Sequence, residues 1–180
     1  MWLTRFLRTS PADNVSDILR AEVVMVVSAL DRYVHTLARL GVLESYAGAR
    51  PKTDAFNRFP VPLSVTPLLR LSATAASTLD AEIRTKHSHL SFQHPDKIAE
   101  AVRLFSAVSL WEAVGAEMDM TAADVKAILG LIVDRRNKIA HEADVDPSFP
   151  RQLWPINREM VEGMIDIVEP VGHGIHAACV

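Results

Sequence analysis

Cysteine is nearly missing from this chain. Cys179 is the single one among 180 residues, so neither a disulfide framework nor a cysteine zinc site can be assembled within one copy. Long apolar runs are lacking too. "VVMVVSAL" at 23–30 falls far short of the ~20 residues a membrane-spanning helix needs, and "MWLTRFLR" at the start has no continuous hydrophobic stretch. These absences lead to the expectation of a soluble, cytoplasmic protein with no membrane partner. Nor is there a strong excess of charge. A net charge of −3 and a pI near 6.1 do not suit a protein that coats nucleic acid through a broad basic surface, so any RNA contact must be local. β-type alternation of useful length and internal repeats are both absent.

What is present has ordinary globular composition. Hydrophobic residues at 49% and charged residues at 23% argue against wholesale disorder, and 180 residues suffice for one domain with a proper core. The expectation is a single all-α domain over 1–180, a bundle of about five to six helices, with the first residues and 170–180 as loosely held ends. From Asn14 to about Tyr46, Ile18, Val23, Val27, Leu30, Val34 and Leu37 recur at helical steps. Four prolines in 48–67 mark an irregular connector, and a helix restarts at Thr66, with the hydroxyl as cap and Pro67 in the first turn. After a break at "HSHLSFQHP", a helix starts near Pro95, with a kink or gap near Ser106 to Ser109. Another follows Thr121, whose cap has Asp124 three residues on. The last helix spans about Asn157 to Val168, before "PVGHG" stops it.

The chemistry concentrates in "VDRRNKIAHEAD", residues 133–144, directly after the apolar "AILGLIV". On helical geometry Arg136 falls inside the stripe of Val125, Ile128, Leu129, Ile132 and Ile139. A guanidinium there demands a carboxylate or a wet or substrate-filled cleft, because burying an unpaired charge is costly. Asp31 is the first candidate for that carboxylate, with Glu22 and Glu112 behind it. Asn137 and His141, four apart, share a face beside Arg136. A cation, an amide and an imidazole together are what RNA strand cleavage without metal requires. One group removes the ribose 2′-OH proton, another protonates the leaving 5′-oxygen, and a cation stabilises charge on phosphorus. The cluster holds one histidine per chain, so two imidazoles would require a symmetric dimer.

"RRNKIAHE" resembles the signature of HEPN domains, an arginine, four to six residues, then histidine, often with asparagine after the arginine. Arg136, Asn137 and His141 match it, and Arg135 offers a second register. The helix order and "SALDRYVHTLARL" at 28–40 further resemble the RiboL-PSP branch of that superfamily, so the likeness covers most of the chain. The resemblance implies a HEPN-type, metal-independent endoribonuclease without cofactor, working as a homodimer on RNA, often in toxin–antitoxin or antiphage modules and so with an antitoxin as partner. Catalytic residues would be Arg136, Asn137 and His141, supported by Asp31, Arg135 and Lys138.

Blander readings stand beside these. The cluster is also what a cationic helix end looks like, with His141 helping to satisfy the final carbonyls. Asp31 either orients Arg136 or His141, or is a flank residue paired with His35. His87, His89 and His94, like His173, His176 and Cys179, could hold a transition metal but lack supporting carboxylates. Trp111 and Trp154 read as core or interface. The competing functions are a HEPN-like RNA-binding or dimerisation module without turnover, and a helical bundle holding a small ligand.

Overall fold

In the computed structural model, which describes residues 11–71 and 73–180, the apolar spacing after Asn14 becomes one 37-residue helix, α1 (Pro11–Ala47). At 1.5 Å per residue it is about 55 Å long. Val23, Val27, Val34 and Val42 are fully buried along it, so one face of this helix forms the spine of the core. The expectation for the first residues lies outside the described part of the chain.

The proline-rich connector contains α2 (Asp54–Asn57), capped by the Thr53 hydroxyl, a 3-10 turn at Leu63–Val65, and α3 (Thr66–Leu69). Here the structure departs from the expected long helix. Thr66 lies within α3 and caps nothing, and the chain breaks before α4 (Ala75–His87). Tertiary contacts fix the break, since the Tyr46 hydroxyl of α1 donates to the Leu69 carbonyl at 2.7 Å, which takes the last α3 carbonyl out of any continuing helix.

α5 (Pro95–Arg103) and α6 (Leu110–Glu117) flank the expected gap, which contains Phe105. This buried ring sits where a side chain at position 41 would be, 2.2 Å from Phe105 Cγ to an added Cβ, so α1 needs Gly41 at that point. α7 (Ala122–His141) begins with the anticipated reciprocal cap. Thr121 Oγ1 accepts from the Asp124 N–H at 3.1 Å and donates to the Asp124 carboxylate at 2.7 Å. A short hairpin not anticipated from the sequence, β1 (Val145–Asp146) with β2 (Phe149–Leu153), leads to α8 (Arg158–Cys179).

α8 overturns the expected stop at Val168. Pro170 lies inside the helix, where it removes one backbone donor and costs about 3 kcal/mol in an isolated helix. Beyond it Val171, Ile175 and Cys179 are buried, and each such side chain contributes roughly 1.5–3 kcal/mol, so packing outweighs the proline. Gly174 lets α8 approach α6 closely, an added Cβ standing 3.2 Å from Val114 Cγ1, and Arg50 donates to the Cys179 carbonyl at 2.6 Å. Residues 170–179 are thus a packed helix and not a loose end. The bundle closes with α1 against α8, α7, α4 and α5, and α6 against α7 and α8. No helix among the described residues is long and apolar enough to cross a membrane.

Candidate active site

Successive residues on a helix point about 100° apart, and at the end of α7 that step separates two arginines with different surroundings. Arg135 turns toward Asp144, a carboxylate only 1% exposed, with Nη1 at 2.6 Å from Oδ1 and Nη2 donating to Oδ2 at 2.9 Å. Arg20 of α1 meets the same carboxylate, its Nε donating to Oδ2 at 2.8 Å and its Nη2 to the Trp154 carbonyl at 2.8 Å. The chain can return under α7 because Ala143 and Asp144 take left-handed φ of 52° and 57°, while the Asp144 N–H donates to the Lys138 carbonyl at 3.0 Å. Burial lowers the Arg135 pKa from its ordinary value, and Asp144 opposes that shift. Arg135 is therefore a structural arginine that ties α1, α7 and the hairpin together.

The expected acidic partner of Arg136 is not there. Among the described residues, no carboxylate lies within 4.0 Å of its guanidinium, and neither Asp31, Glu22 nor Glu112 pairs with it. Its Nη1 donates to Asn137 Oδ1 at 3.1 Å, and its Nε is buried without a partner. The reason is the Asp144 turn, which brings the available buried carboxylate to the flank occupied by Arg135. Asp31 has two other tasks. Its Oδ1 accepts from the Phe92 N–H at 2.6 Å, and its Oδ2 lies 3.7 Å from His35 Nε2. The paired-flank reading of Asp31 is what the structure contains, with the addition that this carboxylate pins the segment 88–94.

Arg136 faces a cleft of about 640 Å³ between the end of α7 and the segment 88–94 with the start of α5. Arg136, Asn137 and His141 line it, and so do His89 and His94. His141 is the last residue of α7 and is exposed, and among the described residues its imidazole has no hydrogen-bond partner. His94 caps α5, its Nδ1 accepting from the Asp96 N–H at 3.4 Å, which leaves Nε2 unengaged. A guanidinium with no ion-pair partner, an amide and three imidazoles thus share one space, large enough for a nucleotide, with Asp134 and the Lys97–Glu100 pair. Such a set can neutralise a phosphate and exchange protons with it, without a metal.

His89 and His94 join this site only through the fold. "HSHLSFQH" offered a signal only as a histidine grouping, and nothing local says that it lies against residues 136–141. Lys138 does not line the cleft, since its Nζ stands over the Trp154 ring at 5.6 Å on the Arg135 side. Trp111 is buried in the core and donates to the Pro95 carbonyl at 3.2 Å. His87 is buried on the far side of the segment, between α1 and α4, so the three histidines of 87–94 do not converge. On α8, His176 Nδ1 lies 3.0 Å from the Tyr33 hydroxyl, while Cys179 is buried and its thiol pKa is pushed up to about 11 by desolvation. Among the described residues no three histidine, cysteine or acidic side chains are grouped as metal ligands. No family model, curated protein or solved structure matches the chain, so its functional reading starts from this cleft.

Proposed function

We propose that the chain is a metal-independent endoribonuclease acting at the α7 cleft. The observation that carries the reading is Arg136, a partly buried guanidinium without a carboxylate, opening on a space shared with His141, His94 and His89. Structural arginines are paired, as Arg135 is; one left for a ligand suits an incoming phosphate. In the proposed reaction one imidazole takes the proton from a ribose 2′-OH, and the 2′-oxygen attacks phosphorus. The bond to the 5′-oxygen breaks, and that oxygen leaves with a proton from a second imidazolium. Arg136 stabilises the added negative charge, and Asn137 holds the guanidinium in place. The products are a 2′,3′-cyclic phosphate and a 5′-hydroxyl.

The cluster at 133–144 holds one histidine, so a second imidazole from that cluster would have to come from a second copy. His89 and His94 remove that need, because a single cleft holds enough imidazoles for both proton transfers. Homodimerisation, an antitoxin partner and a role as toxin or antiphage effector belong to the proposal through the resemblance to HEPN domains alone.

The test is incubation of purified protein with RNA in the presence of EDTA. Cleavage with cyclic-phosphate ends is expected, falling by about 10²-fold or more in His141→Ala and in whichever of His94→Ala or His89→Ala removes the second transfer group. Melting should stay near wild type, because these side chains make few core contacts. RNA bound tightly but never cut would favour the binding module, and cleavage unchanged by His141→Ala would end the catalytic assignment.

A further inference from the structure

A second cleft, of about 550 Å³, lies on the other side of the segment 88–94, between α1 and α4. Leu90 lines both clefts, so a single ridge separates them. Its lining is mostly polar, with Leu90 as the exposed apolar side chain and Ile83 fully buried beneath. Its rim is cationic, from Arg32 and Arg39 on α1 and Arg84 on α4. Asp80 alone holds two of these, accepting from Arg39 Nη1 at 2.6 Å and from Arg84 Nε at 2.8 Å. Those hydrogen bonds also hold its carboxyl below its ordinary pKa, Arg84 first and Arg39 second. Arg32 is exposed and, among the described residues, has no carboxylate within 4.0 Å. Three guanidiniums therefore face two carboxylates, Asp31 and Asp80, in a chain whose overall charge is negative.

Two imidazoles complete the lining. His35 lies against Phe92 with ring centroids 4.4 Å apart, beside Asp31. His87 is 5% exposed, and its Nδ1 is buried with no partner. A buried, unsatisfied imidazole nitrogen in a cleft wall is costly for a fold to keep and calls for a reason. The exposed Leu90 side chain, the partly exposed His35 ring and the guanidinium rim are surfaces that suit a nucleotide, for its base and its phosphate respectively.

We propose that the α1–α4 cleft is a second nucleotide subsite, which takes a neighbouring phosphate and base of the same single strand that enters the α7 cleft across the Leu90 ridge. This rests on the ribonuclease reading above, and it names the substrate as a single strand long enough to cross that ridge. A duplex would not fit, since its bases are paired and cannot turn into the cleft. Arg32 is the main phosphate contact, with Arg84 beside it, and the Asp31 bond to the Phe92 N–H fixes the ridge between the two subsites.

The experiment measures binding of the full chain to labelled 2′-O-methyl single strands of two to twelve nucleotides, which lack the attacking hydroxyl, across a salt series. Arg32→Ala and Arg32→Ala/Arg84→Ala should weaken the twelve-nucleotide strand, and each lost phosphate contact should flatten the slope of log affinity against log salt by roughly 0.7. The dinucleotide should bind these variants and wild type alike, whereas Arg136→Ala should weaken both lengths. If Arg136→Ala weakens the long strand while the Arg32 variants bind it as wild type does, the second subsite is refuted and the α7 cleft stands. If a free mononucleotide binds in an Arg32-dependent way but the strand binds no better, the cleft is an independent nucleotide site and the shared-strand proposal is wrong. If no strand binds wild type at any salt, both readings fall.

Discussion

Removing charged groups one at a time around the end of α7 should separate structure from function in adjacent residues. Asp144 holds Arg20 and Arg135 in a setting 1% exposed to solvent. Asp144→Ala would leave Arg135 without a counter-charge and Arg20 with only the exposed Asp17 at 4.0 Å, and breaking a buried pair in this way costs about 3–5 kcal/mol. Arg135→Ala keeps the Arg20–Asp144 pair but loses the bonds to Asp144 and to the Pro155 carbonyl, so a smaller loss of about 1.5–3 kcal/mol follows. Arg136→Ala loses only a 3.1 Å bond to its neighbour Asn137 and frees a buried, unsatisfied Nε, so its stability should stay within about 1 kcal/mol of wild type. For a chain of this size each kcal/mol moves the melting point by about 2–4 °C. The three variants should therefore melt in the order Asp144→Ala, Arg135→Ala, Arg136→Ala, with the first lowered by roughly 6–20 °C. Thermal melts by circular dichroism, alongside RNA cleavage measured well below each transition, give both readouts. Arg136→Ala should lose cleavage while keeping its fold, and Arg135→Ala should retain cleavage where it is folded. The reverse pattern, an Arg135 variant that melts like wild type and cuts nothing, would refute the division of roles.

The buried histidine gives a pH signature. Desolvation, with His35 adding repulsion, holds the His87 pKa down at about 4 against an ordinary value of 6.5, so its contribution is complete above pH 6.5 and is lost as pH falls toward 4. Between pH 7 and pH 5 that loss is roughly 2 kcal/mol, and denaturant titrations of His87→Leu should lack it; an equal pH dependence in both proteins would show that His87 is not protected. Gly41→Ala should cost about 3 kcal/mol or more, because Phe105 occupies the position of the new methyl group and must leave its pocket. A variant melting within 2 °C of wild type would contradict that packing.

Features set by neighbouring residues were legible before the fold. α1 follows from apolar residues at helical spacing, and the start of α7 follows from Thr121 and Asp124, because a helix period and a reciprocal cap are properties of neighbouring residues. The gap between α5 and α6 was also legible, since its residues lack a sustained apolar period. The placement of Arg136, Asn137 and His141 on one helix end followed from the same spacing.

Other features depend on contacts between distant segments. Whether Pro170 ends α8 depended on the burial of Val171 and Ile175 against other helices, which no local rule contains. Which of two adjacent arginines is paired depended on the turn at Ala143 and Asp144, because a helical wheel cannot say where a carboxylate returns from beyond the helix. His89 and His94 reached the cleft through the Asp31 bond to Phe92, a contact between residues 61 positions apart. Helices are written in short-range periodicity, whereas a cleft is made by segments distant in the chain, and their meeting is fixed by packing energy that accrues only once the bundle has formed.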